Sequence, residues 1–309
     1  MAQKDKPLVL AIVGATASGK TGLSLEVARL LNCEILCMDS MQVYRRMDIG
    51  TAKPTAQERA LVPHHLLDLV EPTASFSVAA YVDAARKKID EVRGRGHIPL
   101  LVGGTGLYLQ GLCKPMDYGG LPSDAALRTS LNEELSAYGN LAMYARLAAI
   151  DPETAARLHP NDTRRVIRAL EIYQLTGQPM SAHRAAEAAQ SPYDLRTFAI
   201  DWPRPQLHAR INRRVEQMME EGLYQEVRSL LDSGVTADMQ SMQGLGYKEL
   251  IPVLTAGASL QEAMERIKTG TRNYARRQLI WFRRDKNIRW LPSEQLDSAA
   301  KTIVHSLEE

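Results

Sequence analysis

Eight residues near the start of the chain, Gly14-Ala15-Thr16-Ala17-Ser18-Gly19-Lys20-Thr21, satisfy the spacing G-x-x-x-x-G-K-[ST]. Its glycines let backbone N–H groups converge on phosphate oxygens, and a helix starting at its end adds a positive pole. Lys20 supplies a mobile point charge and Thr21 a hydroxyl suited to Mg²⁺. The spacing predicts a phosphate cradle without saying what the phosphates carry. A second candidate is Asp39, which ends the apolar-leaning run "EILCMD" at 34–39. An acid at a strand end beside such a cradle can hold a metal through water or act as a general base, and it can equally be an ordinary turn acid. His64-His65 are adjacent rather than metal-spaced, and Cys33, Cys37 and Cys113 form no zinc pattern. No N-K-x-D guanine signal occurs, which argues against a GTPase.

These residues need elements to hold them. "LVLAIV" (8–13) is a continuous apolar run, as in a strand buried on both faces of a parallel sheet. A helical pattern from Lys20 follows, then a strand at 34–39, a short strand within 64–70, a helix from 77 to 93 and the strand "HIPLLVGGTG". This alternation predicts a doubly wound α/β core. "KPMDYGGLPSD" (114–124) reads as a linker, and 125–190, rich in Ala, Leu and Arg, reads as a mostly helical insert. Strand character returns at 196–202 and long helices fill about 204–285, with Ser259-x-x-Glu262 as a capping box.

The 309 residues, 45% apolar and 24% charged, are those of a globular chain. A net charge of +2 means that any basic surface must be local. No apolar stretch is long enough for a membrane span, no export signal is visible, and three cysteines suit a reducing compartment, so the expectation is a cytoplasmic monomer.

In the helix from about 205, Leu207, Ile211 and Met218 fall on one stripe with Arg214 in its middle. A guanidinium there either snorkels or points into a site and pairs with an anion. Residues 266–289 hold nine Lys or Arg against one acid, Asp285. On a helical wheel Ile267, Tyr274 and Trp281 form a seam, read as core. Lys268, Arg272, Arg276 and Arg283 lie opposite, as a solvated face or a phosphate track. "TRRVIR" (163–168), after Asn161-Asp162, is a second RNA-facing or ion-paired candidate.

"DSMQVYRRMDIGTAKP" (39–54), "PHHLLD" (63–68), "FSVAAYV" (76–82), "LLVGGTGLYL" (100–109), "NDTRRVIRALEIY" (161–173), "GLGYKE" (244–249) and "RNYARRQLIWFRR" (272–284) occur in that order. Together they closely resemble the tRNA dimethylallyltransferases, over nearly the whole chain. The resemblance implies a P-loop NTPase-like parallel sheet flanked by helices: residues 1–114 and 195–309 as catalytic core, 115–194 as a helical insert on the tRNA anticodon arm. It implies transfer of a dimethylallyl group from dimethylallyl diphosphate to N6 of adenosine 37, in tRNAs reading codons that begin with U. Asp39 would be the general base and Thr105, in the Gly103-Gly104-Thr105-Gly106 turn, the second catalytic residue. Gly14 to Thr21 (Ala15, Thr16, Ala17, Ser18, Gly19 and Lys20 among them) with Arg214 would bind diphosphate, and Thr21 would hold Mg²⁺. Asp39, Ser40, Met41, Gln42 and Thr105 would meet the tRNA, Gln42 through an adenine edge. The RNA-contacting set extends to Arg128, Thr163, Arg164, Arg165, Val166, Ile167, Arg168, Gly244, Gly246, Tyr247, Lys248, Arg272 and Arg276. Some family members carry a C-terminal zinc finger; none is seen here, which suggests the shorter bacterial type. Without the resemblance, a small-molecule kinase using ATP would lead, with an RNA-binding protein lacking transferase chemistry behind it.

Overall fold

The computed structural model describes residues 6–113, 122–183 and 191–307. The apolar runs form a six-stranded, all-parallel sheet of order β3-β2-β4-β1-β5-β6. Its strands are β1 (Leu8–Val13), β2 (Cys33–Cys37), β3 (His64–His65), β4 (Ile98–Gly103), β5 (Asp194–Asp201) and β6 (Arg289–Pro292). Only two residues of the 64–70 run pair as strand, because Leu66 and Asp68 take positive φ and turn the chain away. Asp194, which the sequence pattern leaves with the insert, already pairs with Leu8. β6 and the last helix, α12 (Leu296–His305), lack a sequence signal strong enough to predict them, yet they cover the sheet's far edge.

Helices α1 (Lys20–Leu31), α2 (Ala56–Leu61), α3 (Val78–Gly94) and α4 (Gly106–Cys113) follow the first strands. After β1 the chain moves toward β2 and β3, and after β4 it heads toward β5 on the other side. The neighbours β1 and β4 therefore flank the switch point, where ligands bind at the carboxyl ends of the strands. The loop Gly14–Gly19 leaves one of them and the turn Gly103–Gly106 leaves the other. One sheet face packs Val9, Ala11, Val13, Leu36 and Leu101 against Tyr81, Ile89 and Tyr108; the other packs Leu10, Ile12, Ile35 and Leu100 against Leu23, Val27 and Ile303.

Chain compactness divides the protein into Met1–Cys113 with Pro192–Glu309, and Lys114–Ser191. The second unit contains α5 (Ala125–Ile150), α6 (Pro152–Ala155) and α7 (Thr163–Thr176). Leu131, Met143, Leu147, Val166, Ile167 and Leu170 are buried among them. Asp162 is the N-cap of α7 but makes no side-chain capping bond. Most of the 114–124 linker lies outside the described residues. In the first unit follow α8 (Arg204–Glu220), α9 (Leu223–Asp232), α10 (Tyr247–Ala256) and α11 (Leu260–Phe282). Ser259 caps α11 by accepting the Glu262 N–H. No helix among the described residues is long and apolar enough to cross a membrane.

Candidate functional site

The loop after β1 is shaped by backbone that other residues resist. Gly14 and Gly19 have φ of 128° and 96°, and Ala17 adopts φ 62° without a glycine's freedom. Three side chains brace it from distant parts of the sequence. Trp202 donates Nε1–H to the Ser18 carbonyl at 2.8 Å, and Arg210 donates Nε–H to the Ala17 carbonyl at 2.8 Å while lying 4.4 Å over the Trp202 ring. Gln278 is 5% exposed; its Oε1 accepts the Thr16 N–H (2.9 Å) and its Nε2 donates to the Gly104 carbonyl (3.0 Å). One buried amide thus ties the loop after β1 to the turn after β4. Any side chain at 104 would collide with Gln278, which is why the turn needs glycine there. Replacing Gln278 by alanine leaves a part-buried N–H and a buried carbonyl unpaired, so denaturant titration should show a loss of about 1–3 kcal/mol. Donor KM should rise in the same variant, because the loop loses its fixed spacing from the turn.

Lys20 folds back on the cradle, its Nζ donating to the carbonyls of Gly14 (3.1 Å) and Ala15 (2.7 Å). Burial, reinforced by the nearby Arg214 cation and opposed by Asp39, brings its ammonium down to about 7. Burial likewise lowers the Arg214 pKa, with Asp39 and Glu221 pulling the other way. Arg214 makes no hydrogen bond or ion pair among the described residues. Ser18 Oγ is buried without a partner among the described residues. Two neighbouring cations and an unsatisfied hydroxyl around a ring of backbone donors make an anion site.

Asp39 follows β2, where the Met38 N–H still pairs with the Val102 carbonyl. Its Oδ1 accepts the Met41 N–H at 2.8 Å. The Thr105 N–H donates to the Met38 carbonyl (3.3 Å) and Thr105 Oγ1 accepts the Ser40 N–H (3.1 Å). Thr105 therefore holds the Asp39-Ser40 turn. A Cβ on Gly103 would overlap the Met38 carbonyl, so the close approach of the two strand ends requires glycine.

Asp39, Gln42, Lys20, Thr21, Arg214 and Tyr274 line one cavity of about 610 Å³. Thr16, Ala17, Ser18 and Gly19 share this lining, whereas Gly14 and Ala15 form the loop's buried root. Gln42 uses its amide N–H groups on the carbonyls of Thr51 and Ala52, both 3.1 Å, which leaves its oxygen as an acceptor. The loop they belong to is gathered by Glu226, whose carboxylate accepts the N–H groups of Asp48 and Ile49 (2.8 Å each) and Gly50 (3.1 Å). Buried Lys53 bonds Asp48 (2.6 Å) on the same loop and Asp68 (2.7 Å) in the segment after β3. Glu226→Ala should cost about 1–2 kcal/mol, as expected for charge-assisted bonds lost to exposed and part-buried N–H groups, with Glu226→Gln retaining part of it in thermal unfolding.

The RNA-facing candidates divide. Tyr247 is 1% exposed and donates its hydroxyl to Glu226 at 2.5 Å, and Val166 and Ile167 are buried in the helical unit. These three are scaffold, a correction to the sequence reading. Gly244 and Gly246 are buried too; a Cβ on Gly244 would come within 2.6 Å of Met41 Cε, so this glycine lets α10 close on the Asp39 turn. Arg128 and Arg168 both bond the buried carboxylate of Glu171, and Arg165 bonds Asp162. Arg164 and Lys248 are exposed, and Thr163 is partly so. On α11, Lys268 pairs with Glu216 and Glu265 and Arg272 with Asn212 and Thr269, while Arg276 has no partner among the described residues; Arg283, the C-cap of α11, pairs with Asp201. The buried line of α11 is Ala263, Ile267, Ala275, Gln278 and Phe282. Tyr274 and Trp281 therefore leave the predicted core seam, Tyr274 for the cavity wall.

Cys33 and Cys37 are pushed up to about 12 by burial, which removes them as nucleophiles. His65 and Arg95 bond Glu34, and His64 Nδ1 lies 2.8 Å from the Val62 carbonyl. No group of three or more metal-binding His, Cys, Asp or Glu occurs among the described residues.

Comparison with known proteins matches residues 42–285 to the family described as IPP transferase and residues 7–67 to isopentenyl transferase. A tRNA dimethylallyltransferase of Pelotomaculum thermopropionicum is 47% identical over 99% of this chain and 98% of its own. That of Roseiflexus castenholzii is 49% identical over 96% and 97%. Among solved structures, a tRNA isopentenylpyrophosphate transferase of Bacillus halodurans superposes with TM-score 0.73 at 44% identity, covering 98% of this chain and 97% of its own. A eukaryotic dimethylallyltransferase acting on tRNA superposes with TM-score 0.83 at 31% identity, over 96% and 77%.

Proposed function

The chain belongs to the IPP transferase family of prenyl-transferring enzymes, and from that premise we propose that it transfers a dimethylallyl group from dimethylallyl diphosphate to N6 of adenosine 37 in tRNA. The observation that carries this reading is a single cavity joining an anion cradle, with two neighbouring cations, to the carboxylate of Asp39. In the reaction the C–O bond of the donor breaks and its electron pair leaves with diphosphate. The backbone donors of the loop, Lys20 and Arg214 meet that charge where it develops. The adenine N6 is a weak nucleophile because its lone pair is delocalised into the ring. As its bond to carbon forms, the carboxylate of Asp39 accepts the N6 proton. Thr105 holds the Asp39-Ser40 turn in place, and the free oxygen of Gln42 receives an N–H at the adenine edge.

A divalent ion, Mg²⁺, fits the hard-oxygen character of this site: Thr21 lines the cavity beside Asp39, and Ser18 Oγ is unsatisfied. Thr21 and the donor's phosphates would hold it, and it would supply neutralisation of the leaving diphosphate. The target adenine is stacked in free RNA, so it enters the cavity flipped, at a cost of a few kcal/mol. Exposed Arg276 and Arg164 are cations available to RNA phosphates, Arg164 from the helical insert on the anticodon arm, and exposed Lys248, 3.7 Å from Glu249, is a further one. A reducing, cytoplasmic setting is in keeping with its three free cysteines.

Incubation with tRNA and either labelled dimethylallyl diphosphate or ATP labelled in its terminal phosphate tests the reading. Label enters RNA from the prenyl donor alone; phosphoryl transfer from ATP without prenylation would identify a kinase and overturn it.

A further inference from the structure

Two consecutive carbonyls of the phosphate loop are held by side chains from far along the chain. The Ala17 carbonyl accepts Arg210 Nε–H and the Ser18 carbonyl accepts Trp202 Nε1–H, both at 2.8 Å. The holders also hold each other, the guanidinium carbon of Arg210 lying 4.4 Å over the Trp202 ring. Trp202 follows the last residue of β5, and Arg210 lies one turn before Arg214 on the same face of α8. The Ala17 methyl is buried in a cluster with Leu207, Ile211 and Ala275, which pins a residue whose φ of 62° carries strain. Arg210 lines the cavity and makes no ion pair among the described residues, so an acid does not account for its place.

We infer that Trp202 and Arg210 are positioning residues for prenyl transfer, acting as one clamp that aims the loop at the donor's diphosphate. The inference rests on the reading above that this loop receives that diphosphate. A trans peptide sets its N–H opposite its carbonyl. With the Ala17 carbonyl turned to Arg210, the Ser18 N–H points back across the loop, toward the Ala15 carbonyl at 3.4 Å. With the Ser18 carbonyl turned to Trp202, the Gly19 N–H is directed into the cradle. The loop's donors are thus aimed before the diphosphate binds, and binding energy is not consumed in ordering them. Arg210 and Arg214 share α8, so the helix that brings a cation to the diphosphate also sets the loop beside it. The clamp acts on the loop, so its loss falls on the donor and not on RNA binding.

A double-mutant cycle on the full chain tests this, read by transfer kinetics and by calorimetric titration with inorganic diphosphate. Trp202→Phe keeps an aromatic face under Arg210 and removes only the Nε1–H donor. It should lower kcat/KM for dimethylallyl diphosphate about 3- to 10-fold and raise the Kd for inorganic diphosphate alike, with RNA KM unchanged. Arg210→Met should cost about 10- to 100-fold on the same two readouts, as for a bond from a charged donor. The double variant should lose little more than Arg210→Met alone, because both side chains act through one loop. An unaltered diphosphate Kd in Trp202→Phe, a fall in Tm with donor kcat/KM unaltered, or an equal rise in RNA KM overturns the proposal. Losses that multiply in the double variant overturn the shared clamp as well. Should Arg210→Met fail to fold, Trp202→Phe alone still decides. Wild-type prenyl transfer in the same samples separates failure of this inference from failure of the reaction itself, since the diphosphate Kd tests the clamp even where nothing is transferred.

Discussion

Replacing Asp39 by alanine is expected to lower kcat by roughly 10²- to 10⁴-fold, the range for loss of a positioned general base, while tRNA affinity holds. The asparagine variant makes the expectation sharper. Asp39 has a structural duty, accepting the Met41 N–H at 2.8 Å, and an asparagine oxygen can accept that bond equally well. Asp39→Asn should therefore fold with the wild-type Tm and bind RNA and donor normally. It should still fail to transfer, because an amide cannot take the proton from N6. Activity restored by asparagine would reduce Asp39 to a turn residue. A proportionate loss of tRNA affinity and rate in Asp39→Ala would make it a binding group instead.

The second large effect belongs to Lys20. Its ammonium is brought down to about 7 in the free protein by burial and Arg214, and a bound diphosphate favours the charged form. The pKa therefore rises on binding. Below about 7 the lysine is charged in both states and donor affinity is flat with respect to this group. Above it the free enzyme must take up a proton to bind, so donor Kd climbs as pH rises through about 7 until the bound-state pKa is reached. Titration calorimetry in buffers of different ionisation enthalpy should report proton uptake on the alkaline side. Lys20→Arg should flatten the profile, since guanidinium stays charged. Lys20→Ala should lower kcat/KM by about 10²–10³, as does removal of one preorganised donor to a developing anion. A pH-independent donor Kd in the wild type would show that the ammonium does not meet the diphosphate.

The cradle was readable from sequence because its requirements are local: glycines at positive φ, then a lysine and a threonine at fixed spacing. β1 and β4 were readable because strands buried on both faces leave uninterrupted apolar runs. Gln278 was not readable. Its partners, Thr16 and Gly104, lie far away along the chain, and only the folded sheet brings them together. The seven-residue spacing of Ile267, Tyr274 and Trp281 suggested a core seam, whereas the buried line follows Ile267, Ala275, Gln278 and Phe282. The drift between a seven-residue repeat and 3.6 residues per turn carries Tyr274 to the cavity wall and Trp281 to the surface. Tyr247, Val166 and Ile167 illustrate a different failure. They stand inside distinctive motifs, but the side chains at those positions hold the scaffold while their neighbours remain exposed.

The central claim is that the cradle receives a departing diphosphate and that the carbon it leaves becomes bonded to an adenine nitrogen. Nucleoside mass spectrometry of tRNA treated with enzyme and dimethylallyl diphosphate, with diphosphate release measured in the same samples, tests this most directly. The account predicts a five-carbon unit on N6 of adenosine 37, with one diphosphate released for each base modified. Diphosphate released without modified adenosine, or a modified nucleoside bearing the group elsewhere, would contradict it.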